Sequence, residues 1–149
     1  MLDIQIKSLK EFTIEELYDV LQLRSEVFVV EQDCVYQDLD GKDQKALHVI
    51  GKKDNKIVAY TRIFKPGEYF IEASIGRVVV KKEERKYGYG QDIMKASIKA
   101  IEDRFKSPII KISAQTYLKN FYTSLGFIEK GEEYLEDGIP HVTMIRKKV

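Results

Sequence analysis

Leu2, Ile4 and Ile6 alternate with polar residues, the period-two pattern of a strand with one buried face. The period then changes. Leu17, Leu21, Arg24 and Phe28 recur at helical spacing behind Thr13-Ile14-Glu15-Glu16, a capping box whose hydroxyl and carboxylate can each satisfy a free amide. This predicts a helix to about residue 30. Residues 31–45 are polar and acidic and read as a loop. Residues 46–52 and 57–64 are β-rich and flank the turn signal Lys53-Asp54-Asn55-Lys56. Pro66-Gly67 marks another turn, and residues 69–80 form the longest predicted strand. Its end, Val78-Val79-Val80, is apolar on both faces, as a central strand requires. Met94, Ile98, Ile101 and Phe105 make a helical stripe, widened by Ile93, Ala96 and Ala100. A strand follows over 109–114, then a short stripe of Leu118, Phe121, Tyr122 and Leu125 closed by Gly126. Two last strands, 127–134 and 139–146, flank the turn signal Asp137-Gly138. The order β-α-β-β-β-α-β-α-β-β predicts an α/β or α+β fold, with helices on the faces of a mixed sheet of about seven strands.

Composition narrows the picture. A chain of 149 residues suits one domain, expected over 1–149. The formal net charge of +1 provides no global drive toward nucleic acid or membrane, so any useful field is local. Cys34 is the only cysteine, which excludes an intrachain disulfide and a multi-cysteine metal site. No apolar run is long enough for a bilayer, and the alternating N-terminus lacks a signal-peptide core. A cytoplasmic protein without a metal is expected.

Between the apolar run and the second helix lies Arg85-Lys86-Tyr87-Gly88-Tyr89-Gly90, with Lys81 and Lys82 just before it. A helix start offers unpaired amides and a partial positive charge, a combination that binds phosphate. Glycines allow close backbone approach. A polyphosphate ligand is therefore expected here. A P-loop would end in Gly-Lys-Ser/Thr, and a dinucleotide fingerprint would carry a third glycine early in the chain. Neither pattern is present, which argues against ATP and NAD.

At these residues the chain resembles the GNAT superfamily of acyl-CoA N-acyltransferases. Arg85, Gly88 and Gly90 match its Q/R-x-x-G-x-G/A loop, and Phe121-Tyr122-Thr123-Ser124-Leu125-Gly126-Phe127 is similar to its F-Y-x-x-x-G-F segment. LRSEVFVVEQ, YQDLDGKD, IGRVVV, SAQ and YLEDGIPH extend the resemblance to the ElaA-type branch, from about Leu23 to His141. The resemblance implies a GNAT-like fold and acetyl transfer from acetyl-CoA to an amine. It implies that Val78, Val79 and Val80 bind the pantetheine arm, on a strand that splays from residues 109–114. The amides of Gly88, Tyr89 and Gly90, with Arg85 and Lys86, would meet the pyrophosphate. A backbone amide near Val79 could polarise the thioester carbonyl.

Tyr122 matches the family's usual general acid, a phenol near pKa 10 facing a thiol near about 8.5. Its competing reading is a core aromatic. The base is open among His141, His48, Glu31, and a water held by Glu31, Asp33 or Glu136. Some amines need no base. The resemblance also places two acidic groups beside the acceptor cleft: Glu31, Asp33, Asp38, Asp40 and Asp43, and Glu132, Glu133, Glu136 and Asp137. Such walls would attract a cationic amine, though a solvated surface reads the same way. Arg24, Arg62 and Arg77 lie among apolar residues and need partners, with Glu26, Asp40 and Glu72 as candidates. Arg24 and Arg77 could instead bind an acceptor carboxylate. Cys34 could line the pocket, but direct transfer in a ternary complex is the expected route. The expected acceptor is a small amine or peptide amine, and the C-terminal strands could support a homodimer. The rival from another class is a noncatalytic acyl-CoA-binding module.

Overall fold

The computed structural model describes residues 2–148. Seven strands form one sheet: β1 (Asp3–Ser8), β2 (Leu47–Lys53), β3 (Lys56–Phe64), β4 (Ala73–Val80), β5 (Ile109–Gln115), β6 (Ile128–Glu136) and β7 (Ile139–Lys147). The order across the sheet is β1-β2-β3-β4-β5-β7-β6. β4 is thus the middle strand, as its triple valine predicts. Only the β4–β5 pairing is parallel; the other five are antiparallel. Three α-helices flank the sheet: α1 (Ile14–Arg24), α2 (Tyr89–Ala100) and α3 (Lys119–Thr123). Among the described residues no helix is long and apolar enough to cross a membrane.

Alternation in the strands supplies two cores. Val49, Ala59, Ile63 and Ile75 face Ile93, Met94 and Ile98 of α2 on one side. Their neighbours Ile50, Tyr60 and Val79 face Val20, Leu23, Val27 and Phe28 on the other. Thr13 caps α1 as predicted: its hydroxyl accepts from the Glu16 amide, and Glu16 accepts from the Thr13 amide.

The observed elements depart from the sequence reading in places. The first helix reaches Glu31, but its last part, Ser25–Glu31, widens to π-helical hydrogen bonding. α2 ends similarly over Ile101–Phe105. The predicted strand over 69–80 starts only at Ala73. Residues 69–72 instead bend back, with the Gly67 amide on the Phe70 carbonyl and Tyr69 packed between Phe64 and Phe70. Aromatic stacking holds Tyr69 and Phe70 here without a ladder, and Ile71 stays exposed.

Candidate active site

β4 and β5 pair only at Ala73–Ile110 and Ser74–Lys111, and then separate. From Ile75 onward, the edge of β4 that faces β5 has no ladder partner. A bulge accompanies the split. Tyr60 opposes Val79 and Arg62 opposes Gly76, so β4 holds one residue more than β3 there. Arg77 takes a left-handed φ of 49° at this point, rare for a residue with a side chain.

The bulge is held by charge. Arg77 Nε lies 2.8 Å from Asp38 Oδ1, and Arg77 also donates to the Asp38 carbonyl at 3.0 Å. Asp38 in turn accepts from Arg24 at 2.9 Å and from the Tyr36 hydroxyl at 2.8 Å. Arg24 and Arg62 both donate to Asp43, and Arg62 makes a two-pronged contact with Asp40. Burial alone would raise the Asp40 carboxyl, but the Arg62 hydrogen bond and charge outweigh it and hold Asp40 well below the usual carboxylate range. The three arginines therefore find Asp38, Asp40 and Asp43 as partners. Of the candidates named from sequence only Asp40 serves; Glu26 lies near Lys81 instead. The first predicted acidic wall is largely a neutralised cluster, because the loop folds inward onto arginines carried by the strands and α1.

The basic loop forms a 3-10 turn, Lys82–Tyr87, and then Gly88 at φ 76° caps α2 without any side-chain hydrogen bond. The first amides of α2 stay free, as phosphate binding needs. A Cβ on Gly90 would sit 3.4 Å from Phe121, in ordinary van der Waals contact, so α2 and α3 pack closely here. Arg85 donates from Nε to the Val80 carbonyl at 3.0 Å, and its two terminal nitrogens grip Glu31 at 2.5 and 2.8 Å. Both oxygens of Glu31 are thus engaged, which removes it as a free base. Lys86 lies over the Tyr87 ring and does not line the groove. The Tyr89 ring is buried in the core, so this residue can offer only its backbone amide.

These parts line one groove of about 560 Å³. Tyr122 reaches it from α3, with its ring packed edge-on between Phe121 and Phe127. Its hydroxyl has no hydrogen-bond partner among the described residues. Burial pushes the phenol above its ordinary value, so it gives up its proton less readily than the near-match with a thiol suggested; the hydroxyl remains protonated and can donate a hydrogen bond. His141 reaches the groove from β7. Its Nδ1–H donates to the Ile139 carbonyl at 2.7 Å, which leaves the Nε2 lone pair free in the neutral ring; Nε2 lies 3.4 Å from Glu136 Oε2. His48 is elsewhere. It is buried, donates to the Asp43 carbonyl and accepts from Tyr60; burial lowers its affinity for a proton. It is a structural histidine. Asp33 does not line the groove, whereas Glu136, Asp137 and Cys34 do. Cys34 Sγ donates to the Asp137 carbonyl at 3.3 Å and so ties the loop after α1 to the β6–β7 hairpin.

Ser113, Gln115 and Tyr134 also reach this region, and the sequence reading assigned them no role. Their signal was alternation. Ile110, Ile112 and Ala114 of β5 are buried, which leaves Ser113 and Gln115 on the opposite, polar face. Among the described residues no group of three or more His, Cys, Asp and Glu is placed to hold a metal.

A central strand split from its parallel neighbour above an uncapped glycine-led helix is the arrangement that the resemblance in sequence implies. Residues 9–148 match the family model described as "Acetyltransferase (GNAT) domain". The chain belongs to the GNAT acetyltransferase family. Within that family, it is 41% identical over 141 residues to Protein ElaA of Escherichia coli strain K12, covering 93% of this chain and 92% of that protein. The crystal structure of E. coli ElaA superposes with a TM-score of 0.91 over 99% of this chain and 100% of that one, at 40% identity. An acyl-CoA N-acyltransferase from Pseudomonas aeruginosa gives 0.89 at 39% identity, over 98% of this chain and 99% of that one. A GNAT family acetyltransferase from Elizabethkingia anophelis, solved with acetyl-CoA bound, shares the fold alone: 15% identity and a TM-score of 0.66 over 98% and 97% of the two chains.

Proposed function

We propose that this chain is a single-domain, acetyl-CoA-dependent N-acetyltransferase that acts on a primary amine of a small molecule or peptide. The observation that carries this reading is one groove lined by the unpaired edge of β4, the uncapped start of α2, and the Tyr122 hydroxyl. The family uses acetyl-CoA, and the residues present fit it. The β5-facing backbone groups of the Val78–Val80 segment suit an amide-bearing arm, apart from the Val80 carbonyl, which already accepts from Arg85. The amides of Gly88, Tyr89 and Gly90 suit a pyrophosphate, with Arg85 beside them.

Acetyl-CoA supplies a thioester that is already activated, so the chain's main task is positioning. The acceptor amine attacks the carbonyl directly, with both substrates bound together. A free β4 amide near the bulge polarises that carbonyl. Tyr122 donates a hydrogen bond to the departing sulfur. His141, with Nε2 unprotonated, takes the proton from the amine. The free thiol of Cys34 fits a reducing, cytoplasmic setting.

The direct test follows free thiol released from acetyl-CoA with polyamines, aminosugars, amino acids, peptides and arylamines. Release with at least one amine is expected. Tyr122→Phe should lower turnover by about 10²-fold, the lower range for a positioned acid, while CoA affinity by calorimetry stays unchanged. Tight acetyl-CoA binding without release across the panel would favour a noncatalytic acyl-CoA-binding module.

A further inference from the structure

The two faces of the sheet are unequally covered. The core beneath α2 and α3 runs from Val49 of β2 to Val142 and Met144 of β7. The core beneath α1 ends at Val79 of β4. Beyond that strand the alternation continues, but one face lacks a helix. Ile112 and Met144 are buried, whereas Lys111, Thr143 and Ile145 point the other way and are only half-buried. All nine residues of β6 are exposed.

The uncovered side chains form a continuous row across three strands. Ile128 of β6 lies beside Ile145 of β7, and Ile145 lies beside Lys111 of β5. The Lys111 ammonium sits 4.6 Å from the centre of the Phe70 ring, and Tyr69 packs edge-on against Phe70 at 4.7 Å. Ile128 is 73% exposed. A single exposed isoleucine is ordinary, but a row that ends on two aromatic rings has the make-up of an interaction surface.

Charge selects the occupant. Lys130 of β6 and Lys147 of β7 flank the row on one side, and Glu72 follows the aromatic pair on the other. The ion pairs nearby, Lys65–Glu68 and Lys119–Glu129, use other residues and leave these three unmatched among the described residues. A two-fold axis running roughly along the strands turns a second copy onto this face. It sets one isoleucine row on the other and brings the Lys130 side of each copy over the Glu72 side of its partner. A two-fold interface must be its own complement, and this face meets that condition. A partner of uniform charge would match one side only.

We infer that the helix-free face of β5, β7 and β6 is the interface of a homodimer, with two sheets packed face to face about 10 Å apart. The same axis leaves both grooves at one end of the dimer. The inference stands apart from the transferase reading, since association requires no chemistry.

Sedimentation equilibrium of the full chain tests this. The expected mass is twice that of one chain. Ile128→Lys puts an ammonium into the row at a site exposed enough for the fold to tolerate it. It should raise the dimer dissociation constant by about thirtyfold or more, the loss for one hot-spot residue. Lys130→Glu should also weaken association, because each substitution acts twice across a two-fold. Adding Glu72→Lys to Lys130→Glu should restore association to within about threefold of the native chain. An unchanged circular dichroism spectrum verifies the fold of each variant. A one-chain mass for the native protein up to about 0.1 mM overturns the inference. So does a dimer indifferent to Ile128→Lys. A double variant that stays weak also overturns it: Glu72 lies across β7 and β5 from β6, so two paired β6 edges would feel Lys130→Glu without rescue.

Discussion

Glu16 carries two tasks on one carboxylate. It closes the capping box of α1, and it accepts from Lys7 at 2.9 and 2.8 Å and from Lys52 at 3.0 Å. Lys7, the Thr13 amide and Lys52 hold its carboxyl down to about 2, from an ordinary 4.5. Glu16→Gln keeps the cap, since glutamine also accepts from an amide, but it removes the charge. The partners are partly exposed, so solvent screening reduces the effect, and the variant should lose about 1–2 kcal/mol at neutral pH. The sign follows from a depressed acid. The wild-type advantage is complete above about pH 4.5, shrinks as pH falls, and is gone near pH 2. Urea unfolding of both proteins at pH 7, 4 and 2.5 measures this narrowing gap, and CoA affinity should not change.

At the scale of elements, the loop after α1 behaves as a plug that carries carboxylates to buried arginines. Asp38 is its central contact, because it holds Arg24 and the bulge residue Arg77 at once. Asp38→Asn should cost about 3 kcal/mol, the range for a buried pair that loses one charge. Unlike Glu16→Gln, it should also weaken CoA binding, because the bulge that exposes the edge of β4 loses its anchor. Urea unfolding and calorimetry on one sample measure both effects. The same cluster marks what the sequence could and could not yield. Val78-Val79-Val80 announced a central strand, because burial on both faces is written in consecutive residues. The Arg85–Gly90 loop was readable because a helix start and its phosphate-binding amides are local. The bulge was not, since an extra residue exists only relative to the register of β3. Nor was the pairing of Asp38 with Arg77: the chain displayed an acidic loop and isolated arginines, and only folding brings them together. His48 and His141 both lie on strands, and burial beneath α1 or beside the groove separates their roles.

At the scale of the whole molecule, the groove is spanned at several points. Cys34 meets the Asp137 carbonyl, the side-chain amides of Gln32 and Gln115 bond to each other, and Arg85 grips Glu31. The first two contacts join the loop after α1 to the β5–β7 half of the sheet. The third joins the end of the first helix to the phosphate loop, and it differs in kind. Arg85 is the cation best placed for a pyrophosphate, yet a carboxylate already neutralises it. Binding a polyphosphate would set two anions in competition for one guanidinium. The pair is partly exposed, with 41% and 28% of the two side chains accessible, so breaking it should cost only about 0.2–1 kcal/mol. Glu31→Gln removes that cost and one repelling charge. CoA should therefore bind more tightly, by up to about fivefold, with a steeper loss of affinity as salt is raised. Calorimetry at low and high salt measures both terms. Weaker binding by Glu31→Gln would mean that the pair instead clasps the groove in its binding shape, and Arg85 would then act through Glu31 and not on phosphate.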